Sequence, residues 1–109
     1  MDQAAQRSVR LQIPVDHPAF AGHFPGQPLL PGVSLLAEVL EAVLADPELA
    51  ARVGAAPRLA NTKFLAPVRP GAQLTIQLDA TGRGLRFEVR DAGAGDRLAA
   101  SGQFEAAAP

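Results

Sequence analysis

Apolar and polar residues alternate over residues 8–13, with Val9, Leu11 and Ile13 on one side, which predicts a short strand. The alternation then stops. Residues 14–31 are punctuated by proline and glycine, a long loop for so small a chain and of the kind that tends to carry function. Over residues 32–46 the period becomes helical. Ser34, Glu38 and Glu41 recur at i, i+4 and i+7 and leave a narrow polar stripe on an otherwise apolar cylinder, so the helix is expected to be buried on most sides and its stripe solvated. Pro47 ends or kinks it, and PELAAR supports a short second helix before Gly54.

Strand-like segments follow. Residues 58–65 predict a strand, and Pro67, Pro70 and Gly71 mark a turn after it. Residues 72–80 alternate cleanly with Leu74, Ile76 and Leu78 inward; a turn over 81–84 leads to a strand marked by Leu85, Phe87 and Val89. The last strand, over 97–105, turns Leu98 and Phe104 to its apolar side. One strand, a long loop, one apolar helix and four strands joined by tight turns define an α+β class. An antiparallel sheet wrapped around one central helix is the simplest way to bury that helix. Its edge strands stay unpaired unless two copies join.

At 109 residues and 11.3 kDa the chain is expected to form one domain over 1–109, with 1–7 and 106–109 as tails. Ten basic and eleven acidic residues, with neither Trp nor Tyr, argue against a nucleic-acid binder. The absence of cysteine excludes disulfides, thiolate metal sites and cysteine nucleophiles, and two histidines argue against a histidine-rich metal site, so no metal is expected. The start, MDQAAQRSVR, lacks the apolar segment of a signal peptide, which predicts a cytoplasmic protein. Residues 19–37 carry no Asp, Glu, Lys or Arg, but Pro25, Pro28 and Pro31 break them, so no membrane span is expected. Nine of the ten basic residues are arginine, as in a GC-rich composition. Arg69, Arg86 and Arg90 therefore read as a dispersed solvated set rather than as a docking patch.

The chemistry concentrates in GHFPGQPLLPGV, residues 22–33. This segment puts His23 in a proline-stiffened loop a few residues ahead of a helix start. Pro31 fixes the approach and Gly32 lets a ligand come close to the backbone. The free N–H groups at that start, with the positive end of the helix dipole, suit a developing oxyanion. An imidazole beside such a site suits proton abstraction next to a carbonyl. His17, between Asp16 and Pro18, reads as a turn or hydrogen-bonding residue rather than a second base.

The segment GHFPGQPLLPGV resembles the signature of the 3-hydroxyacyl-(acyl carrier protein) dehydratases, enzymes of the hotdog fold. The likeness continues in KFLAPVRPGAQL, residues 63–74, and more weakly in LAASGQF, residues 98–104. Within that family the chain also resembles a small group associated with aryl-polyene and other specialised lipid clusters. The resemblance implies a hotdog fold and removal of water from a (3R)-hydroxyacyl thioester, as in fatty-acid or polyene-type lipid synthesis. His23 matches the catalytic base, and Gly32 matches the glycine whose N–H binds the thioester carbonyl. Pro31, Val33 and Phe24 complete the implied substrate-binding set, although Phe20 and Phe24 read first as core or dimer contacts.

The implied partner is acyl carrier protein, whose phosphopantetheine brings the substrate, with coenzyme A as the other possible carrier and no further cofactor. A homodimer is implied, and a heterodimer with a paralogous hotdog subunit is its alternative. In the family the acid stands fourteen residues after the histidine, on the central helix of the opposite subunit. Here that position is Ala37, which has no proton to give. Glu41 is offset from it by about 40° around the helix and Glu38 by about 100°. Glu41 is therefore the first candidate for a relocated acid and Glu38 the second. A non-catalytic acyl-binding or pairing subunit, or a hotdog acyl thioesterase, are the alternative functions.

Overall fold

A computed structural model describes residues 5–20 and 29–106. Strand β1 (Gln6–Gln12) is followed by a 3-10 turn at Pro18–Phe20, helix α1 (Gly32–Leu44) and helix α2 (Pro47–Val53). Then come β2 (Arg58–Phe64), β3 (Gln73–Ala80), β4 (Gly84–Asp91) and β5 (Arg97–Glu105). All five strands join one antiparallel sheet in the order β1-β3-β4-β5-β2, so β1 and β2 are its edges. This is the expected α+β hotdog arrangement, one sheet and one main helix sharing a core.

The core follows the two-residue period of the strands. Leu74, Ile76 and Leu78 of β3 and Leu85, Phe87 and Val89 of β4 are buried, with Ile76 opposite Val89 and Leu78 opposite Phe87. Helix α1 adds Leu35, Val39 and Val43, spaced by four so that they share one face. Phe87 stacks on Phe104 with ring centroids 5.2 Å apart and lies over Gly102, where a Cβ would come within 2.7 Å of its ring. That glycine makes room for the largest buried side chain. Burying a phenylalanine fully contributes roughly 1.5–3 kcal/mol.

Four expectations need correction. The helix is not buried on most sides: Leu35, Val39 and Val43 face inward, whereas Val33 and Leu44 are exposed at 76% and 53%. A single sheet can cover only one face of a helix. The N-terminal tail is shorter than expected, because Gln6 and Arg7 pair with Asp79 and Leu78 of β3. At the other end the Ala106 N–H donates to the Arg83 carbonyl at 3.1 Å, so Ala106 is held to the sheet. Leu98 is only half-buried, since a bulge in β5 takes the pairing from Val89–Ala100 directly to Arg90–Leu98 and turns both Ala99 and Ala100 into the core.

Arg7 ties the first strand to the junction between the helices. Its Nε donates to Asp46 Oδ2 at 2.8 Å and its Nη2 to Glu48 Oε1 at 2.7 Å. Asp46 also caps α2, its Oδ1 accepting from the Glu48 and Leu49 N–H groups at 3.0 and 3.3 Å. Partial burial pushes the Asp46 carboxyl up. The Leu49 N–H, the Arg7 guanidinium and the Glu48 N–H outweigh it and hold its pKa below the usual carboxylate range.

A carboxylate lowered by folding stabilises the fold at pH above its unfolded pKa, and that contribution is lost as pH falls through the folded value. Asp46→Asn keeps the capping oxygen and removes the charge. The variant is expected to melt a few degrees below the wild type at neutral pH, with the gap closing as the solution is acidified. A gap that is independent of pH in thermal melts contradicts the ion-pair account.

Candidate active site

The start of α1 is built by its neighbours. The Leu30 N–H donates to the Val68 carbonyl at 2.7 Å and so fastens the approach to the turn after β2. Pro31, with φ −59° and ψ 147°, holds the extended cap geometry that a proline ring favours, and its carbonyl accepts from the Ser34 and Leu35 N–H groups at 3.0 and 3.1 Å. No side chain among the described residues caps the helix. Among the described residues, the Gly32 and Val33 N–H groups therefore have no acceptor, and they form the positive end of a thirteen-residue helix.

Beside these N–H groups opens an apolar cleft of about 480 Å³, lined by Leu29, Gly32, Leu35, Phe64, Leu65 and Pro67. That volume suits a small acyl chain. Phe64, 52% exposed, lays its ring on Gly32, where a Cβ would stand 2.7 Å from the nearest ring atom. Sequence reading gave Phe64 and Leu65 no role. Their signal was two bulky apolar residues at the end of a strand, just ahead of a proline turn. A larger groove of about 750 Å³ runs beside Arg10, Thr75 and Arg90, but it lies away from the helix start.

Of the predicted site residues, Gly32 is half-buried and lines this cleft, Pro31 is half-buried, and Val33 projects into solvent. His23 and Phe24 lie outside the described residues. Glu41 is exposed and Glu38 half-buried, and both border a different, smaller cavity of about 210 Å³ with Val9, Leu11 and Ile76. The expectation of a fully solvated stripe fails at Glu38. Its Oε1 accepts from His17 Nε2 at 3.2 Å, and both side chains are largely covered. Within one chain, Glu41 stands nine residues beyond Gly32, or about 13 Å along the helix axis at ~1.5 Å per residue. One chain alone therefore does not bring Gly32 and Glu41 to atoms only two bonds apart.

One antiparallel five-stranded sheet sharing its core with one main helix, with an apolar cleft at that helix's start, defines a hotdog protein, and the comparisons agree. The chain belongs to the ApeI-like family, described as ApeI dehydratase, which it matches over residues 1–103. Among curated relatives it is similar to a 3-hydroxyacyl-[acyl-carrier-protein] dehydratase FabZ of Symbiobacterium thermophilum. The two are 36% identical over 94 residues, which cover 81% of this chain and 66% of the relative. A FabZ of Thermomicrobium roseum is 30% identical over 106 residues, 91% of this chain and 71% of that one.

The chain spans about half to two thirds of the length of the first of these curated relatives. Among solved structures it resembles "The Dehydratase Heterocomplex ApeI:P from Xenorhabdus doucetiae", with a TM-score of 0.76 and 26% identity over 92% of this chain and 85% of that one. It also resembles an uncharacterized protein of Erwinia carotovora subsp. atroseptica, with a TM-score of 0.80 and 32% identity over 96% and 85% of the two chains.

The packing of Phe64 on Gly32 makes the stability effect of Gly32→Ala depend on Phe64. At a helical φ, alanine in place of glycine stabilises by about 0.4–1 kcal/mol where space allows. In wild type the ring must swing away and that gain is expected to vanish or reverse; in a Phe64→Ala background it is expected to appear. Chemical denaturation of the four proteins measures the coupling. Equal effects in both backgrounds contradict the contact.

Proposed function

We propose that this chain is the catalytic subunit of a dehydratase acting on (3R)-hydroxyacyl thioesters in fatty-acid or polyene-type lipid synthesis, with its site completed by a second subunit. The observation that carries the reading is the pair of uncapped N–H groups at Gly32 and Val33 beside an apolar cleft. Those groups receive the thioester carbonyl and stabilise the charge that gathers on it. His23 takes the proton from C2, the electron pair forms the C2–C3 double bond, and the C3–O bond breaks. The departing hydroxyl takes a proton from Glu41 and leaves as water. The product is a trans-2-enoyl thioester.

The acyl chain arrives on the phosphopantetheine of acyl carrier protein or on coenzyme A, and the reaction calls for no further cofactor. Pro31, Val33 and Phe24 are assigned to substrate binding with Gly32. Glu41 is preferred to Glu38 as the acid because it is exposed and without a hydrogen-bond partner among the described residues, whereas Glu38 is engaged by His17. The 13 Å offset within one chain supports an acid supplied across an interface.

A homodimer is the simplest second subunit, supported by the exposed Val33 and Leu44 on α1 and by Leu59, Phe64 and Leu65 at the β2 edge. Ala37, exposed on the same helix, favours one further reading, in which a paralogous hotdog subunit supplies the acid. No helix among the described residues is long and apolar enough to cross a membrane, which is compatible with work in the cytoplasm.

The test is dehydration of a short (3R)-hydroxyacyl carrier-protein substrate by the purified protein. Wild type is expected to form the enoyl product, and His23→Ala and Glu41→Gln to lower kcat by roughly 10²-fold or more. Loss in His23→Ala alone removes Glu41 as the acid. Wild type that is inert over several chain lengths ends the reading of this chain as active by itself, and release of free thiol in place of enoyl product ends it in favour of a thioesterase.

A further inference from the structure

The loop ahead of the histidine motif is fastened to α1 by one side-chain pair. His17 Nδ1 accepts from the Ala19 N–H at 3.0 Å, which fixes the ring proton on Nε2, and that Nε2–H donates to Glu38 Oε1 at 3.2 Å. The surrounding backbone is locked as well: the His17 N–H donates to the Pro14 carbonyl at 3.1 Å and the Phe20 N–H to the His17 carbonyl at 3.0 Å. Phe20 meets the imidazole edge-on at a centroid distance of 6.0 Å and packs with Ala19 against the core. The side chains of His17 and Glu38 are 17% and 24% exposed, so this is a largely desolvated pair. Among the described residues it is the one side-chain hydrogen bond between residues 13–20 and α1.

We propose that His17 and Glu38 form a clamp that fastens residues 14–20, which lead into the histidine motif, to α1, and that Glu38 is thereby a positioning residue rather than a proton donor. The clamp sits at one end of the stretch that carries His23; the Leu30 N–H on the Val68 carbonyl sits at the other. The described residues on either side of His23 in the sequence, 14–20 and 29–30, are thus each tied to the fold. The proton on Nε2 requires an acceptor on Glu38 but not a charge. A glutamine Oε1 serves as well as a carboxylate, whereas alanine leaves a half-buried N–H without a partner. The effect on rate rests on the dehydratase reading; the clamp itself does not.

The experiment compares wild type, His17→Ala, Glu38→Ala and Glu38→Gln by three readouts. In imidazole ¹⁵N spectra the wild-type His17 ring is expected as the Nε2–H tautomer, and the Nδ1–H tautomer overturns the clamp whether or not the protein is an enzyme. By hydrogen exchange, residues 14–20 are expected to lose protection in both alanine variants and to regain it in Glu38→Gln; unchanged protection in the alanine variants also overturns it. In the dehydration assay the alanine variants are expected to lose at least ~10-fold in kcat with KM nearly unchanged and the fold intact in thermal melts. Glu38→Gln is expected to rescue that loss. A Glu38→Gln variant with restored protection but no restored kcat makes Glu38 a proton donor and overturns the positioning role. Wild type without activity, with the tautomer and protection as expected, removes the dehydratase reading and leaves the clamp standing.

Discussion

Helix α1 carries apolar residues on two faces, and a five-stranded sheet covers one of them. Leu35, Val39 and Val43 are buried in the chain's own core and Leu36 and Leu40 are half-buried against it, while Val33 and Leu44 are exposed on the other side with Ala37 between them. An apolar side chain is worth roughly 1.5–3 kcal/mol when fully removed from water, so leaving Val33 and Leu44 uncovered forgoes part of what a small domain can gain. The same helix holds at its start the N–H groups proposed to bind the oxyanion, and the acidic candidates along its length. Covering the helix and completing the site are therefore one requirement in the proposed two-subunit assembly.

Electrostatics at the helix start follow from what is missing there. A serine or aspartate cap would occupy the first N–H groups and dissipate the local positive potential. Pro31 caps by shape alone, its own nitrogen has no proton to present, and its carbonyl serves Ser34 and Leu35 rather than Gly32 or Val33. Phe64 and Leu65 give the cleft beside those groups an apolar wall on one side. The uncapped start gives up a little helix stability for a place where charge can develop.

Much of the fold was legible in the sequence because the strands obey a strict two-residue period. Leu74, Ile76, Leu78, Leu85, Phe87 and Val89 were all expected inward and are all buried. Leu98 escaped that logic because a single extra residue in β5 reverses the parity of the strand beyond it, and Ala-Ala gives no warning of a bulge. The helix was read as buried on most sides because an apolar cylinder says how much of its surface is to be covered, not by which chain. At the site, the motif pointed to Gly32 and its neighbours, while the His17–Glu38 pair was invisible. It joins residues 21 positions apart through tertiary packing; His17 was expected as a turn or hydrogen-bonding residue and Glu38 as the second acid candidate, and neither reading names the other as its partner.

The central claim is that the start of α1 receives a thioester carbonyl. Amide NMR of the ¹⁵N-labelled protein, titrated with a trans-2-butenoyl pantetheine thioester, tests it most directly. The account predicts saturable shifts at the Gly32 and Val33 amides, with smaller ones along the cleft at Leu65 and Ala66. Saturable binding that leaves Gly32 and Val33 unmoved while shifting residues beside Arg10 and Arg90 would place the ligand in the other groove and contradict it.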